Sequence, residues 1–79
     1  MAIIVKNGVH TVADEDLVWA NYPYYFEVVG YHYDDIVADI TRDNKSDWGF
    51  YVNYDMMGKL TAYLHFKTKA QMMYFRMKV

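Results

Sequence analysis

A chain of 79 residues has room for one domain, and its 54% hydrophobic and 19% aromatic content favours a packed core over disorder. The absence of cysteine excludes disulfides and thiolate metal sites and favours an intracellular protein. Residues 1–55 hold all ten acidic side chains and three basic ones, whereas residues 56–79 hold five basic side chains and no acidic one. This asymmetry indicates either a charged partner or a basic end that folds back on an acidic end.

Neither a membrane span nor a leader peptide is expected. No apolar run approaches the roughly 20 residues that a membrane-spanning helix needs. The first eight residues become polar too soon for a signal peptide. We therefore expect residues 1–79 to form a single compact domain of a cytoplasmic protein without a membrane partner, whose mature chain starts at or near Met1.

The N-terminal segment is predicted to form a small β-hairpin followed by a short helix. Residues 3–5 and 9–12 are β-branched runs, and the Asn7-Gly8 pair between them tolerates the positive φ angles of a tight turn. Acidic residues at positions 14–16 suit the first turn of a helix, and Pro23 disfavours helical backbone at the residue before it. The predicted helix covers about residues 14–21.

The middle of the chain is predicted to be mostly β-strand. Residues 24–33 are rich in Tyr, Phe and Val, and Gly30 indicates a bulge or a bend. Residues 34–42 fit a helical and a strand spacing equally well, so both remain open. Residues 48–54 and 60–66 are predicted strands joined by a turn at 57–59. Apolar residues alternate in the second of these strands and define an aliphatic face, lined by Leu60, Ala62, Leu64 and Phe66.

The last element is predicted to be a helix over about residues 69–78. Thr68 is a good N-cap residue, and Gln71 three positions later completes a capping-box pattern. The order of elements predicts an α+β fold, with an antiparallel sheet of three to five strands and two short helices on one face. We expect the helices at 14–21 and 69–78 to cover the aliphatic face.

The same alternation places several tyrosines on the opposite side of the sheet, the tyrosine face, which we expect to be uncovered. An exposed aromatic patch of this kind is typical of a recognition surface, although tyrosines also stabilise cross-strand pairs without any binding role. A bulge at Gly30 would exchange the faces beyond it. The candidate partner-binding residues on this face are Tyr25, Tyr31, Tyr33, Tyr51, Tyr63 and His65.

An acidic rim is predicted beside the tyrosine face, formed by Asp34, Asp35 and Asp39. In a helix, Asp35, Asp39 and Asp43 would line up and repel one another, which favours a strand, a loop or a basic partner. The segment 39–44 lacks the glycine that a calcium-binding EF-hand loop needs at its sixth position. Because the three histidines also lack paired ligand spacing, we predict no metal and no cofactor.

Two lysines, Lys67 and Lys69, flank the start of the last helix, where positive charge is unfavourable. An acidic neighbour such as Asp14 or Asp16, an anionic partner or solvation could compensate for them. Together with Lys59 they are the candidate phosphate contacts of an alternative function, in which tyrosines on the sheet stack the bases of a single-stranded nucleic acid.

A catalytic function is not predicted. The chain has no cysteine, and its single serine, Ser46, lies in a polar loop. The four glycines are scattered singly, so no phosphate-binding loop is present. We therefore expect a protein that is not an enzyme.

Residues 66–77, Phe-Lys-Thr-Lys-Ala-Gln-Met-Met-Tyr-Phe-Arg-Met, resemble the end of many small uncharacterised proteins of tailed bacteriophages. Those chains often finish with an aromatic strand and a short helix in a pattern like F-[KR]-x-K-x-x-A-M-x-F-[KR]-[LM], with Met72 here in place of the usual alanine. The resemblance implies a phage origin, a compact α+β fold and a location in the host bacterial cytoplasm. It assigns no activity and no functional residue.

Small phage accessory proteins tend to bind one host protein and to block or redirect it. By this analogy we expect a non-enzymatic protein that binds a host defence factor, nuclease or polymerase through the tyrosine face and the acidic rim. A single-strand nucleic-acid-binding protein is the first alternative. A self-associating structural protein, in which the tyrosine face pairs with its own copy in a homodimer, is the second.

Overall fold

A five-stranded antiparallel sheet and three helices make up the part of the chain that this computed structural model describes, residues 2–30 and 33–79. The predicted α+β class is confirmed. The elements in chain order are β1 (Ala2–Lys6), β2 (Val9–Ala13), α1 (Glu15–Asn21), β3 (Tyr24–Val29), α2 (Tyr33–Asp43), β4 (Trp48–Tyr54), β5 (Leu60–Phe66) and α3 (Lys69–Arg76).

The order of strands across the sheet is β2-β1-β4-β5-β3, so β4 and β5 lie at the centre and β2 and β3 form the edges. The β1–β2 hairpin turns at Asn7 and Gly8, whose φ angles are 53° and 79°. At the other edge, Gly30 has a φ of 117° and its N–H donates to the carbonyl oxygen of Leu60 at 3.2 Å. The chain therefore bends away at Gly30, and the strand predicted over 24–33 ends at Val29.

The larger core lies between the aliphatic face and the helices α2 and α3. Val37 and Ile40 of α2 and Phe75 of α3 pack against the strands, and the Phe75 ring stacks on Phe66 with centroids 5.4 Å apart. The segment whose conformation was left open is thus helical. Two of the three aspartates in its row are paired within the molecule, because Arg42 lies 3.2 Å from both Asp39 and Asp43, and Lys78 lies 2.9 Å from Asp43.

Helix α1 packs on the tyrosine face, so the expectation that it covers the aliphatic face is wrong. Val18 and Tyr22 contact Ala2 and Tyr51 in a second, smaller core. The physical reason lies at Gly49, because a Cβ atom built there would be 3.1 Å from a methyl group of Val18. The missing side chain leaves a hollow into which the helix fits.

Helix α3 begins as predicted, with the Thr68 hydroxyl accepting a hydrogen bond from the Gln71 N–H at 3.2 Å. The Gln71 side chain does not reach back to the cap. Its amide donates instead to the buried Asn44 at 2.9 Å, which ties the start of α3 to the end of α2. Within residues 2–30 and 33–79, no helix is long and apolar enough to cross a membrane.

Candidate interaction surface

Five rings on the tyrosine face form an aromatic cluster: Trp19, Tyr25, Tyr51, Tyr63 and His65. His65 lies at its centre. Its ring stacks between Tyr25 and Tyr51, with centroid distances of 5.1 Å and 5.4 Å, and meets Trp19 edge-on at 4.7 Å. Tyr51 and Tyr63 stack on each other at 5.0 Å. The cluster joins the three strands β3, β4 and β5 to helix α1.

The pairing of the strands positions these rings. Tyr25 lies directly opposite His65, and Tyr51 lies directly opposite Tyr63. Residues that face each other across antiparallel strands point to the same side of the sheet, so the four rings must share one face. Trp19 reaches them from above because Val18 holds α1 against Gly49.

The imidazole of His65 is buried and neutral. Its Nδ1 lies 2.8 Å from the carbonyl oxygen of Tyr22, which can only accept, so Nδ1 carries the proton. Nε2 is buried and has no hydrogen-bond partner among the described residues. Burial lowers the pKa of His65 below its ordinary 6.5, although the Tyr22 carbonyl and the Glu15 carboxylate act in the opposite direction.

Tyr51 is also inside the protein, with 4% of its surface exposed. Burial raises the pKa of its hydroxyl to about 12; Trp19 acts in the opposite direction and the nearby Glu15 adds to the increase. Neither Tyr51 nor His65 can therefore touch a partner without movement of α1. The expectation that both lie on an uncovered face is wrong for these two residues.

The outer part of the cluster remains accessible. Trp19 is 41% exposed and Tyr25 is 39% exposed, and their rings meet edge-to-face at 4.9 Å. Tyr63 is half-buried beside them, 6.3 Å from Tyr25. We call Trp19, Tyr25 and Tyr63 the exposed aromatic patch. The sequence analysis did not select Trp19, although a tryptophan next to the apolar Val18 on a seven-residue helix could have indicated that it contacts the sheet.

The acidic side chains near this patch are not the predicted ones. Asp34, Asp35 and Asp39 are exposed on α2, which packs against the other face of the sheet. Glu15 on α1 and Glu27 on β3 take their place. The Glu15 carboxylate is close enough to His65 to raise the pKa of its ring, and Glu27 lies opposite Tyr63. The acidic residues beside the exposed aromatic patch are therefore ones that the sequence analysis did not select.

One further tyrosine of the predicted face, Tyr33, is not part of the patch. Tyr33 is half-buried at the start of α2 and packs with the larger core, on the opposite side of the sheet. The neighbouring Asp34 raises the pKa of its hydroxyl more than burial does. Tyr31 lies outside the described residues, as does His32.

The basic C-terminal segment folds back on acidic residues, one of the two possibilities that the charge asymmetry left open. Lys67 lies 3.3 Å from Asp47, and Lys78 lies 2.9 Å from Asp43. The compensating carboxylate for Lys67 is thus Asp47 rather than Asp14 or Asp16. Lys59 and Lys67 precede and follow β5, which separates them by about 26 Å.

A cleft of about 290 Å³ lies between α2 and α3, with Ile36, Ile40 and Phe75 among its lining residues. Its charged lining residues pair with one another: Arg42 with Asp39 and Asp43, and Lys78 with Asp43. Within the described part of the chain, no group of three or more His, Asp or Glu side chains is arranged to hold a metal ion. Comparisons with protein-family models, curated proteins and solved structures gave no match.

Proposed function

We propose that this chain is a non-catalytic protein-binding module that docks on one partner through the exposed aromatic patch. The observation that supports this is the contact of Trp19 with Tyr25, two large rings held at 4.9 Å over a buried His65. Rings already fixed in the free protein lose little conformational entropy on binding. Tryptophan and tyrosine are also the residues most enriched at the energetic centres of protein interfaces.

The charges beside the patch favour a basic partner surface. Glu15 and Glu27 border the rings, and Asp16 lies in the same helical turn as Glu15. Acidic groups at the rim of an interface accelerate encounter with a basic target and disfavour acidic ones. A protein surface that binds nucleic acid has this basic character, so we propose that the module occludes such a surface.

The resemblance of residues 66–77 to small phage proteins directs the search for the partner to a bacterial host. A defence factor, a nuclease or a polymerase would each present a basic surface that an acidic and aromatic patch can cover. In this proposal the module inhibits or redirects its partner by occupying that surface.

Direct binding of single-stranded nucleic acid is the competing function, because the same rings could stack on bases. The charges disfavour it. Glu15 and Glu27 beside the rings would repel phosphates, and Lys67 already pairs with Asp47. Filter binding over a salt series separates the two functions, since submicromolar nucleic-acid binding with a steep salt slope would replace our proposal.

The proposal is tested by affinity capture from a host lysate with matched variants. The two patch variants are Tyr25→Ser, which removes a ring of the patch, and Glu27→Lys, which reverses a charge beside it. Tyr74→Ser makes the same tyrosine change at an exposed site on α3. We expect a host protein that is captured by the wild type and by Tyr74→Ser but lost with both patch variants, while circular dichroism shows all four proteins folded. A captured protein that binds all four equally would contradict the proposal.

A further inference from the structure

The two edges of the sheet differ in how well they are protected against pairing with another strand. Edge strand β3 follows directly after Pro23, carries Glu27 at its centre, and has Arg76 and Val79 beside it across a shallow hollow. Proline, a charged side chain and cover of this kind are the devices that keep sheet edges from associating. Strand β2, Val9–Ala13, contains no acidic residue, lysine, arginine or proline, and its valines at 9 and 12 are each 64% exposed.

The backbone groups on the open edge of β2 follow from the hairpin geometry. Lys6 pairs with Val9 across a two-residue turn in which both φ angles are positive. Such a turn closes on a hydrogen-bonded pair, and hydrogen-bonded pairs alternate along an antiparallel ladder. The N–H and C=O groups of Val9, Thr11 and Ala13 therefore point to β1, whereas those of His10 and Val12 point outward.

We propose that a second copy of this chain pairs its own β2 with this edge, antiparallel, with a two-fold axis at Thr11. In this register His10 of one copy lies opposite Val12 of the other, so the outward backbone groups of both copies are satisfied. The two sheets become one sheet of ten strands. This self-association uses the edge of the sheet remote from β3, and it is independent of the partner binding proposed above.

Charge complementarity favours a second copy as the occupant. In the register centred on Thr11, Ala13 of one copy lies opposite Val9 of the other, and Val9 pairs with Lys6 on β1. The acidic start of α1 that follows Ala13 therefore comes within about 10 Å of Lys6, which is two strand spacings. Lys6 is 71% exposed and reaches Asp47 only at 4.0 Å, while the first turn of α1 carries Glu15 and Asp16. Lys6 and α1 lie on the same side of the sheet, and a two-fold axis perpendicular to the sheet keeps them on the same side in the pair.

Sedimentation equilibrium from about 10 µM to about 1 mM tests the pairing, and the wild type should shift from monomer towards dimer across this range. Val12→Lys is expected to weaken association at least about tenfold by placing charges on the edge. Val29→Lys is the matched control, because Val29 is a similarly exposed valine on the opposite edge strand, and it should associate like the wild type. A wild type that remains monomeric, or a Val12→Lys variant that associates equally well, would overturn the proposal.

Two further measurements fix the register. Lys6→Glu and Asp16→Lys should each weaken association, and the double variant should restore it, because the opposing charges are then exchanged. Amide hydrogen exchange of His10 and Val12 should slow with increasing protein concentration, while that of Thr11, already bonded to β1, should not change. Failure of the double variant to recover, or concentration-dependent protection at Thr11 alone, would exclude this register. Host-protein capture by Val12→Lys should be unaffected, which separates this proposal from the preceding one.

Discussion

The Nδ1 atom of His65 lies 2.8 Å from the carbonyl oxygen of Tyr22, a hydrogen bond across 43 positions of the sequence. It connects the central strand β5 to the residue that caps the end of α1. Because Tyr22 ends α1 and His65 lies in the aromatic cluster, this bond helps to hold the helix over the rings. Protonation of His65 would place a positive charge on a ring whose buried Nε2 has no hydrogen-bond partner among the described residues, so the neutral imidazole is favoured.

The stability of the protein should fall at acid pH because of His65. Its folded-state pKa is lowered, so the unfolded chain takes up a proton first as the pH drops below 6.5. The contribution is complete above pH 6.5 and is lost as the pH falls toward the folded-state pKa, by at most about 1.4 kcal/mol per pH unit. Urea unfolding at a series of pH values between 7.5 and 4.5 measures the slope.

The control for this pH dependence is the exposed His10. His10→Gln should retain the slope, whereas His65→Gln should reduce it, whatever its effect on the absolute free energy of unfolding. Equal slopes in the wild type and the His65→Gln variant would show that another group is responsible.

The fit of α1 against the sheet depends on the absence of a side chain at Gly49. Gly49→Ala would place a Cβ atom 3.1 Å and 3.3 Å from the two methyl groups of Val18, so we expect a loss of about 1–3 kcal/mol in the free energy of unfolding. Adding Val18→Ala to this variant removes the clash, and the double variant should lose less than the two single losses combined. Additive losses in chemical denaturation would contradict this contact.

The two tryptophans should differ in their access to solvent. Trp48 is completely buried in the larger core, whereas Trp19 is 41% exposed in the patch. Acrylamide should therefore quench the fluorescence of Trp19 readily and that of Trp48 poorly. Binding of the proposed partner should protect Trp19 from quenching, since Trp19 lies in the proposed interface. If both tryptophans are quenched equally in the free protein, the packing of Trp48 described above is wrong.

Asn44 should contribute to stability through its buried side-chain oxygen. That atom accepts hydrogen bonds from the Ser46 N–H at 3.0 Å and from the Gln71 amide at 2.9 Å. Asn44→Ala leaves these donors without their partner, so we expect a loss of about 1–3 kcal/mol in urea unfolding. The exposed Asn53→Ala should change the free energy of unfolding by less than about 0.5 kcal/mol. Similar losses for both variants would argue against the link between α2 and α3.

Local patterns predicted the central strands well. Period-two alternation and the flanking turns indicated residues 48–54 and 60–66, the observed bounds of β4 and β5. Asn7-Gly8 and Thr68 also act as predicted, because turn and cap preferences depend on neighbouring residues. Residues 34–42 stayed undecided because their apolar side chains fit a helical and a strand spacing, while the row of aspartates disfavoured a helix. The lysine that pairs with Asp43, Lys78, is 35 positions away in the sequence.

The arrangement of the candidate site was less accessible to sequence reasoning. Alternation correctly grouped Tyr25, Tyr51, Tyr63 and His65 on one face. Which of these rings are exposed depends on where α1 lies, and that depends on the hollow at Gly49, a residue of a strand far away in the sequence. A glycine in a strand indicates a close approach without identifying what approaches.

The position of β4 and β5 in the middle of the sheet has a consequence for folding on the ribosome. The first 47 residues contain the β1–β2 hairpin, two helices and β3, but the strands that β1 and β3 need as neighbours follow later. Until residue 66 has emerged, this nascent segment exposes the apolar surfaces of β1 and β3. Productive folding must therefore wait for the central hairpin, which makes the incomplete chain a natural client of chaperones.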